Sequence, residues 1–225
     1  KIRAFGDRLL KKYSEALGDT GADYIARMHA ASERMSHLID DLLSFSRVTT
    51  QQKPFEPVAL NDVMKGVQED LEYAIEDSGA TIEARDLPQI DADPSQMGQV
   101  FMNLIGNSLK FRRPDTAPVI KVYSEPVAAE DVPEDEGEET REWIRLVFSD
   151  NGIGFDTQYN DRVFNLFQRL HGRNEYAGTG IGLALCRKIV ERHGGSIIAE
   201  SEVGVGTQFI IIMPTTQFEL ATIEE

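Results

Sequence analysis

At 225 residues, with 41% hydrophobic and 27% charged residues, the chain has the balance of a globular protein rather than a disordered or fibrous one, and length for one ordinary domain plus a small one. Its formal net charge of −15 excludes nucleic acid and anionic membrane surfaces as main partners, since both attract Lys/Arg fields. The single cysteine, Cys186, excludes an internal disulfide and suits a reducing, cytoplasmic setting, and no apolar run approaches the roughly 18 to 20 residues of a membrane helix, so no direct membrane contact is expected from this stretch even if the parent protein is anchored upstream.

In chain order, Ile2, Phe5, Leu9 and Tyr13 recur at spacings of three and four. Ile25, Met28, Ser32, Met35, Ile39, Leu42 and Phe45 continue that alternation from Asp23 to Thr50, the mark of a coiled-coil-like seam. The stretch GDTGADY between them carries turn residues, so residues 1–52 are expected to form a helical hairpin. At 1.5 Å per residue the second helix would measure about 40 Å and the first about 25 Å, leaving about ten residues of seam without a partner. Exposed apolar seams are rare, so the parent protein's first helix is expected to begin about ten residues upstream of Lys1. A lone hairpin buries little, and a homodimer forming a four-helix bundle is expected.

Pro54 and Pro57 break the helical pattern, and a second domain is expected over 53–225. Leu60 to Asp77 reads as an amphipathic helix with Asn61 as N-cap, and Ala80 to Ala84 and Gln89 to Ala92 as short strands. Pro94 opens another helix at a favoured first position. Val119 to Ser124 and Trp143 to Ser149 form an expected hairpin. Its tip lies in the acidic run from Glu125 to Glu142, which holds about half of the excess negative charge and reads as a solvated loop. A helix from Ile181 to His193 and a strand from Gln208 to Met213 close the chain. The fold class is α+β, with helices layered on a mixed sheet.

Four segments of the second domain carry chemistry. In NLIGNSLKF, Asn103, Asn107 and Lys110 share one helical face. In SDNGIGF, Asp150 ends a strand and can accept hydrogen bonds, Ile153 follows, and Gly152 and Gly154 let a flat ligand approach the backbone; the plain alternative is a tight turn. RVFNLFQRLHGR places Phe164 and Phe167 on one helical face with Arg169 and Arg173 near. In AGTGIGLALCRKIV, Gly178, Gly180 and Gly182 open a helix whose N-terminus favours phosphate, with Thr179, Ile181 and Leu183 between and after them. The G-x-G-x-G spacing departs from the dinucleotide fingerprint G-x-G-x-x-G.

Taken in order, these segments resemble the asparagine, first glycine, phenylalanine and second glycine boxes of sensor histidine kinases, within the wider family of gyrase, Hsp90 and MutL. The resemblance covers Asn61 to about Pro214. The preceding hairpin is similar to the dimerisation and phosphotransfer helices of those kinases, and RLHGRNEYAGTGIGLA looks most like the phytochrome-related branch. The resemblance implies an α/β-sandwich ATP-binding domain after the hairpin, with ATP and Mg²⁺ as cofactors. It implies that Asn107 ligates Mg²⁺, Lys110 contacts phosphate, Asp150 accepts from the adenine amino group, and the glycines form a lid with Phe164 and Phe167 beneath it and Arg169 as a phosphate contact. It also implies a response-regulator receiver domain as partner.

Hydrolysing relatives carry a glutamate where this chain has Asn103. An amide takes no proton near neutral pH, and a general base is worth about 10²–10⁴-fold, so phosphoryl transfer is expected over hydrolysis. The family's acceptor histidine lies on the first helix and is expected upstream of Lys1. His29 and His37, on the second helix, read as solvated positions. His193 reads as a residue suited to a helix C-terminus, and His171 as a loop position without a clear role. The alternative function is a non-catalytic nucleotide-sensing dimerisation module. An ATP-driven clamp is disfavoured by Asn103.

Overall fold

The computed structural model describes residues 1–51, 53–127, 142–170, 172, 175–176 and 178–216; the acidic hairpin tip, His171 and Arg173 lie outside them. Helix α1 (Ile2–Thr50) is one helical run interrupted at Tyr13 (φ −132°, ψ 21°) and Gly18 (φ 58°, ψ −173°). The left-handed φ at Gly18 is one that glycine alone adopts cheaply, and there the chain doubles back. Gly6 faces His29, whose Nε2 stands 2.1 Å from where a Cβ at Gly6 would lie. The helical hairpin is therefore present, but the expected seven-residue turn is mostly helical, and the reversal is concentrated at Gly18.

Of the expected seam Ile25 is buried, but most of its other members are exposed and other residues fill the space between the two helices. Gly6 and Ile25 are buried, and the His29 ring is wedged between the helices, with Nδ1 3.7 Å from Asp7 Oδ1, rather than solvated. His37 is exposed. Ile2, Phe5, Leu9, Tyr13, Met28, Met35, Ile39 and Leu42 are all 42–61% exposed. Glycine at position 6 permits close approach on one side, and that approach turns the apolar row outward. Further along, the second helix meets helix α5 (Gly182–Arg192), near which Val48 is buried and Phe45 packs on the core.

Past the linker, strand β1 (Glu56–Ala59) pairs antiparallel with β3 (Gln89–Ala92). The expected single helix from Leu60 is broken into α2 (Leu60–Asp70) and α3 (Glu72–Ser78) at Leu71. Its N-cap is Ala59, without a side-chain cap; Asn61 instead donates its amide to the Leu87 carbonyl at 2.9 Å, because the loop before β3 folds over that end. Strand β2 (Thr81–Arg85) pairs parallel with β4 (Val119–Pro126). Antiparallel pairs then link β4 to β5 (Trp143–Asp150), β5 to β7 (Gly206–Pro214), and β7 to β6 (Ser196–Glu202), giving the order β2-β4-β5-β7-β6. Strand β6 was not expected from the sequence, although its burial alternates strictly along SIIAESE, the period of a half-buried strand.

Helix α4 (Pro94–Lys110) starts with Pro94 at its first position and Asp93 as N-cap, accepting from the Ser95 and Gln96 N–H groups. Its apolar face, Met97, Val100, Phe101, Leu104 and Ile105, is fully buried against the sheet and α5. Phe101 meets Phe148 of β5 edge to face, with centroids 4.9 Å apart, a pairing worth about 0.5–1.5 kcal/mol beyond burial. Cys186 of α5 is wholly buried in this core, where burial pushes its thiol far up and leaves it inert.

His193 is the C-cap of α5 and also lies in the core. Its Nδ1 stands 2.8 Å from the Ile189 carbonyl and its Nε2 accepts from the Asp93 N–H at 3.1 Å. One nitrogen donating and the other accepting is the pattern of the neutral ring. Burial, above all, holds the imidazole below its ordinary range, so the expected charge–dipole role gives way to a neutral bridge between α5 and α4. Arg192 completes the junction, reaching Asp93 Oδ2 at 3.3 Å and the Lys53 carbonyl at 2.7 Å. Although burial works to raise the Asp93 carboxyl, the Ser95, Gln96 and Arg192 hydrogen bonds bring it below the ordinary range.

Candidate nucleotide-binding site

A cavity of about 240 Å³ opens between α4, the end of β5, the loop before α5 and the second helix of the hairpin. Its wall is the solvent side of α4. The buried apolar face of that helix turns Asn103, Asn107 and Lys110, at i, i+4 and i+7, towards the cavity. The Asn103 amide donates to the Gln99 carbonyl at 2.9 Å, and its Oδ1 lies 2.7 Å from where a Cβ at Gly182 would stand, so the first residue of α5 has to be small.

Asp150 forms one end. Its Oδ1 accepts from the Gly152 N–H at 2.8 Å and the Thr207 N–H at 3.3 Å, and its Oδ2 from the Ser108 hydroxyl at 2.9 Å. Burial raises its carboxyl above the ordinary range despite those three donors, and it remains able to accept from a ligand. The following loop is tied down on both sides. Ile153 donates to the Phe111 carbonyl at 2.9 Å and accepts from the Gly204 N–H at 2.7 Å, while the Asn151 side chain bridges Val119 and Ala117. The expectation that Gly152 and Gly154 admit a flat ligand needs revision. A Cβ at Gly154 would lie 2.0 Å from the Glu202 carbonyl oxygen, and one at Gly152 2.6 Å from that of Phe111. The close approach is made by the chain's own backbone. Gly154 and Ile153 still line the cavity; Gly152 does not.

The opposite end is cationic. The Lys110 Nζ sits 4.4 Å over the Phe111 ring, which in turn lies 4.9 Å from the Tyr176 ring. Burial and then the neighbouring Arg169 charge hold the Lys110 ammonium below its ordinary range. The Arg169 guanidinium donates to the carbonyls of Gly178 at 3.0 Å, Tyr176 at 2.6 Å and Gly172 at 3.5 Å, so it clasps the glycine loop. Thr179 donates to Asp41 Oδ2 at 2.5 Å, bringing a carboxylate of the long helix to the cavity rim. Gly178, Thr179, Gly180, Gly182 and Leu183 all line the cavity. Helix α5 begins only at Gly182, so Gly178 and Gly180 belong to the loop before it.

Besides Gly152, three expected residues stand apart from the cavity lining. Ile181 is the buried N-cap of α5 and anchors the helix. Phe164 is buried with its ring 6.2 Å from Phe209 and Arg187 4.4 Å above it. Phe167 is 56% exposed with φ 63°. The expected helical face joining the two phenylalanines is absent, since only a 3₁₀ turn spans Arg162–Phe164. The Phe167 N–H donates to the Gly180 carbonyl at 2.9 Å, which holds the unusual φ and ends any helix. The sequence reading missed Asp41, Phe111, Tyr176, Thr207 and Phe209, all of which line the cavity. Only the aromatics Phe111 and Tyr176, beside Lys110 and the glycines, carried a signal that could have found them.

A helix-on-mixed-sheet layer, a buried acceptor at one end of the cavity and a glycine loop with cations at the other define a nucleotide-binding ATPase fold. The chain belongs to the histidine kinase-, DNA gyrase B-, and HSP90-like ATPase family, whose sequence profile matches residues 92–217. It is 41% identical over 203 residues to the phytochrome-like protein Cph1 of Synechocystis sp., covering 90% of this chain and 25% of that protein. Among solved structures, full-length ShkA in complex with AMPPNP superposes with a TM-score of 0.67 at 21% identity, covering 97% of this chain and 43% of that one. The histidine kinase ThkA in complex with the response regulator TrrA superposes at 0.63 and 20%, covering 96% and 58%. Those two show the fold. The chain spans about a quarter of the length of the curated relatives it matches, and it is a histidine kinase-type ATP-binding module with phytochrome-related relatives. No helix among the described residues is long and apolar enough to cross a membrane.

Proposed function

We propose that this chain is the ATP-binding and dimerisation part of a sensor histidine kinase, working in the cytoplasm, with residues 1–52 as the dimerisation and phosphotransfer hairpin and 53–225 as the catalytic domain. It binds Mg²⁺-ATP and delivers the γ-phosphate to a histidine of the kinase and then to a response-regulator aspartate. One observation carries the reading: the cavity is acceptor-ended at Asp150 and cation-ended at Lys110 and Arg169, the polarity that matches an adenine amino group at one end of a ligand and phosphates at the other.

In this reading Asp150 accepts from the adenine amino group, Lys110 meets phosphate, and Arg169 holds the glycine lid rather than the phosphate. Asn107 lines the cavity between the two ends, and its amide oxygen suits Mg²⁺, which takes oxygen ligands and keeps several waters, so one side-chain oxygen with phosphate oxygens is enough. The ion would neutralise part of the phosphate charge. Asn103 is tied to Gln99 and cannot serve as a base, so an attacking water gains no help and the γ-phosphate waits for the imidazole. In that transfer the bond from γ-phosphorus to the bridging oxygen breaks, a phosphorus–nitrogen bond forms, and ADP leaves. The outward apolar row from Ile2 to Leu42 supports a homodimer through the hairpin, because a second copy would cover it.

Incubating a longer chain that includes the residues preceding Lys1 with radiolabelled ATP and Mg²⁺ is expected to give acid-labile, base-stable label that a receiver domain removes. Steady phosphate release without such label would sink the reading in favour of hydrolysis.

A further inference from the structure

Asp150 is the group that reads the base in the function proposed above, and the structure shows what aims it. Two backbone donors, from Gly152 and Thr207, hold Oδ1, and a single side chain, Ser108 of α4, holds Oδ2. Ser108 is 4% exposed. Its one hydroxyl proton has two acceptors within reach, Asp150 Oδ2 at 2.9 Å and the Leu104 carbonyl at 3.2 Å. The shorter contact goes to the carboxylate, and bonds to an ionised acceptor are the stronger ones.

We propose that Ser108 is a specificity-positioning residue for the adenine base. Its hydroxyl pins Oδ2 so that the remaining lone pair of the carboxylate points into the cavity, and it favours the ionised, acceptor-only form that an exocyclic amino group requires. Without that donor, Oδ2 has no protein donor among the described residues and the carboxyl can turn about its Cβ–Cγ bond, a soft torsion. A carboxyl that turns away or takes a proton no longer prefers a base bearing an amino group.

This inference rests on Asp150 as the adenine contact, and one experiment separates the two. ATP and purine riboside triphosphate, which lacks the 6-amino group, are titrated by calorimetry into the chain and into its Ser108→Ala variant. The unaltered chain is expected to prefer ATP by about tenfold to hundredfold. In Ser108→Ala that preference drops by about three- to tenfold while affinity for the desamino analogue stays within about twofold, since the lost bond acts only through Asp150. An unchanged preference, or equal weakening of both nucleotides, would mean that Ser108 merely packs and would overturn the proposal. No preference in the unaltered chain removes the Asp150 reading itself, and the Ser108 role with it. Ser108→Cys, similar in shape and a weak donor, gives the same two answers where the alanine variant does not fold.

Discussion

At one end of the cavity Asp150 is held by two backbone N–H groups and a buried hydroxyl, on strands and a helix that are themselves paired. At the other, Lys110 and Arg169 repel each other beside a glycine loop that is held by one guanidinium, one carboxylate of a distant helix and the Phe167 N–H. The difference teaches how such a pocket divides its work. On the proposed reading, the Asp150 end is hydrogen-bonded before a nucleotide arrives and so can discriminate. The cationic end is electrostatically unbalanced, and the charge of a polyphosphate would offset it.

Asp150→Asn should break the comparison most sharply. ATP affinity is expected to fall by about a hundredfold, the loss of a buried bond to a charged acceptor, while the melting temperature stays level or rises. The sign follows from burial. Because the folded carboxyl is held above its ordinary range, the folded state keeps a proton that the unfolded chain has already released. Stability therefore falls as pH rises from the ordinary value to the raised one. Denaturation across pH should show the original chain losing stability relative to the Asn variant over that window and running parallel to it above.

His193→Ala tests the fold apart from both ends. It leaves the Asp93 N–H and the Ile189 carbonyl without their ring partners and should cost about 2–3 kcal/mol by urea denaturation, with ATP affinity within about twofold. The folded imidazole is held below its ordinary range. Its contribution is therefore complete above the unfolded value and is lost as pH falls through that value towards the folded one. The alanine variant should lack this acid-side decline.

Gly180→Ala acts on the loop. A Cβ there meets the Gln168 carbonyl oxygen at 2.8 Å with φ at +76°, so the loop must move, and about a tenfold loss of ATP affinity is expected with a smaller change in stability. Asp41→Ala should have the smallest effect and the opposite sign. Removing a carboxylate from the rim of an anion site should tighten ATP by about two- to threefold at low salt, and the gain should vanish at high salt as screening takes over. Equal effects at both salt concentrations would show that Asp41 shapes the loop and does not act as a charge.

Much of the base end was legible because it is local. Asp150 needed only a β-rich run followed by a turn, and the α4 row of Asn103, Asn107 and Lys110, which runs along the wall to the cationic end, needed only the helical repeat. The cationic end was less so. Phe164 and Phe167 fit a helical spacing that the cross-loop bond from Phe167 to Gly180 overrides, and Arg169 was read as meeting phosphate when its donors reach three carbonyls.

By itself the sequence determined the helical hairpin, the start of α4 at Pro94, the i, i+4, i+7 row and the glycine loop, since each follows from the repeat or the dihedral preferences of neighbouring residues. Only the tertiary structure decided which row of the hairpin is buried, that Asp41 meets Thr179 across 138 positions, and that His193 is a neutral bridge to Asp93 across 100. Contacts between residues that far apart depend on how finished elements dock, and a local pattern carries no information about docking until close approach, as at Gly6, selects one face over another.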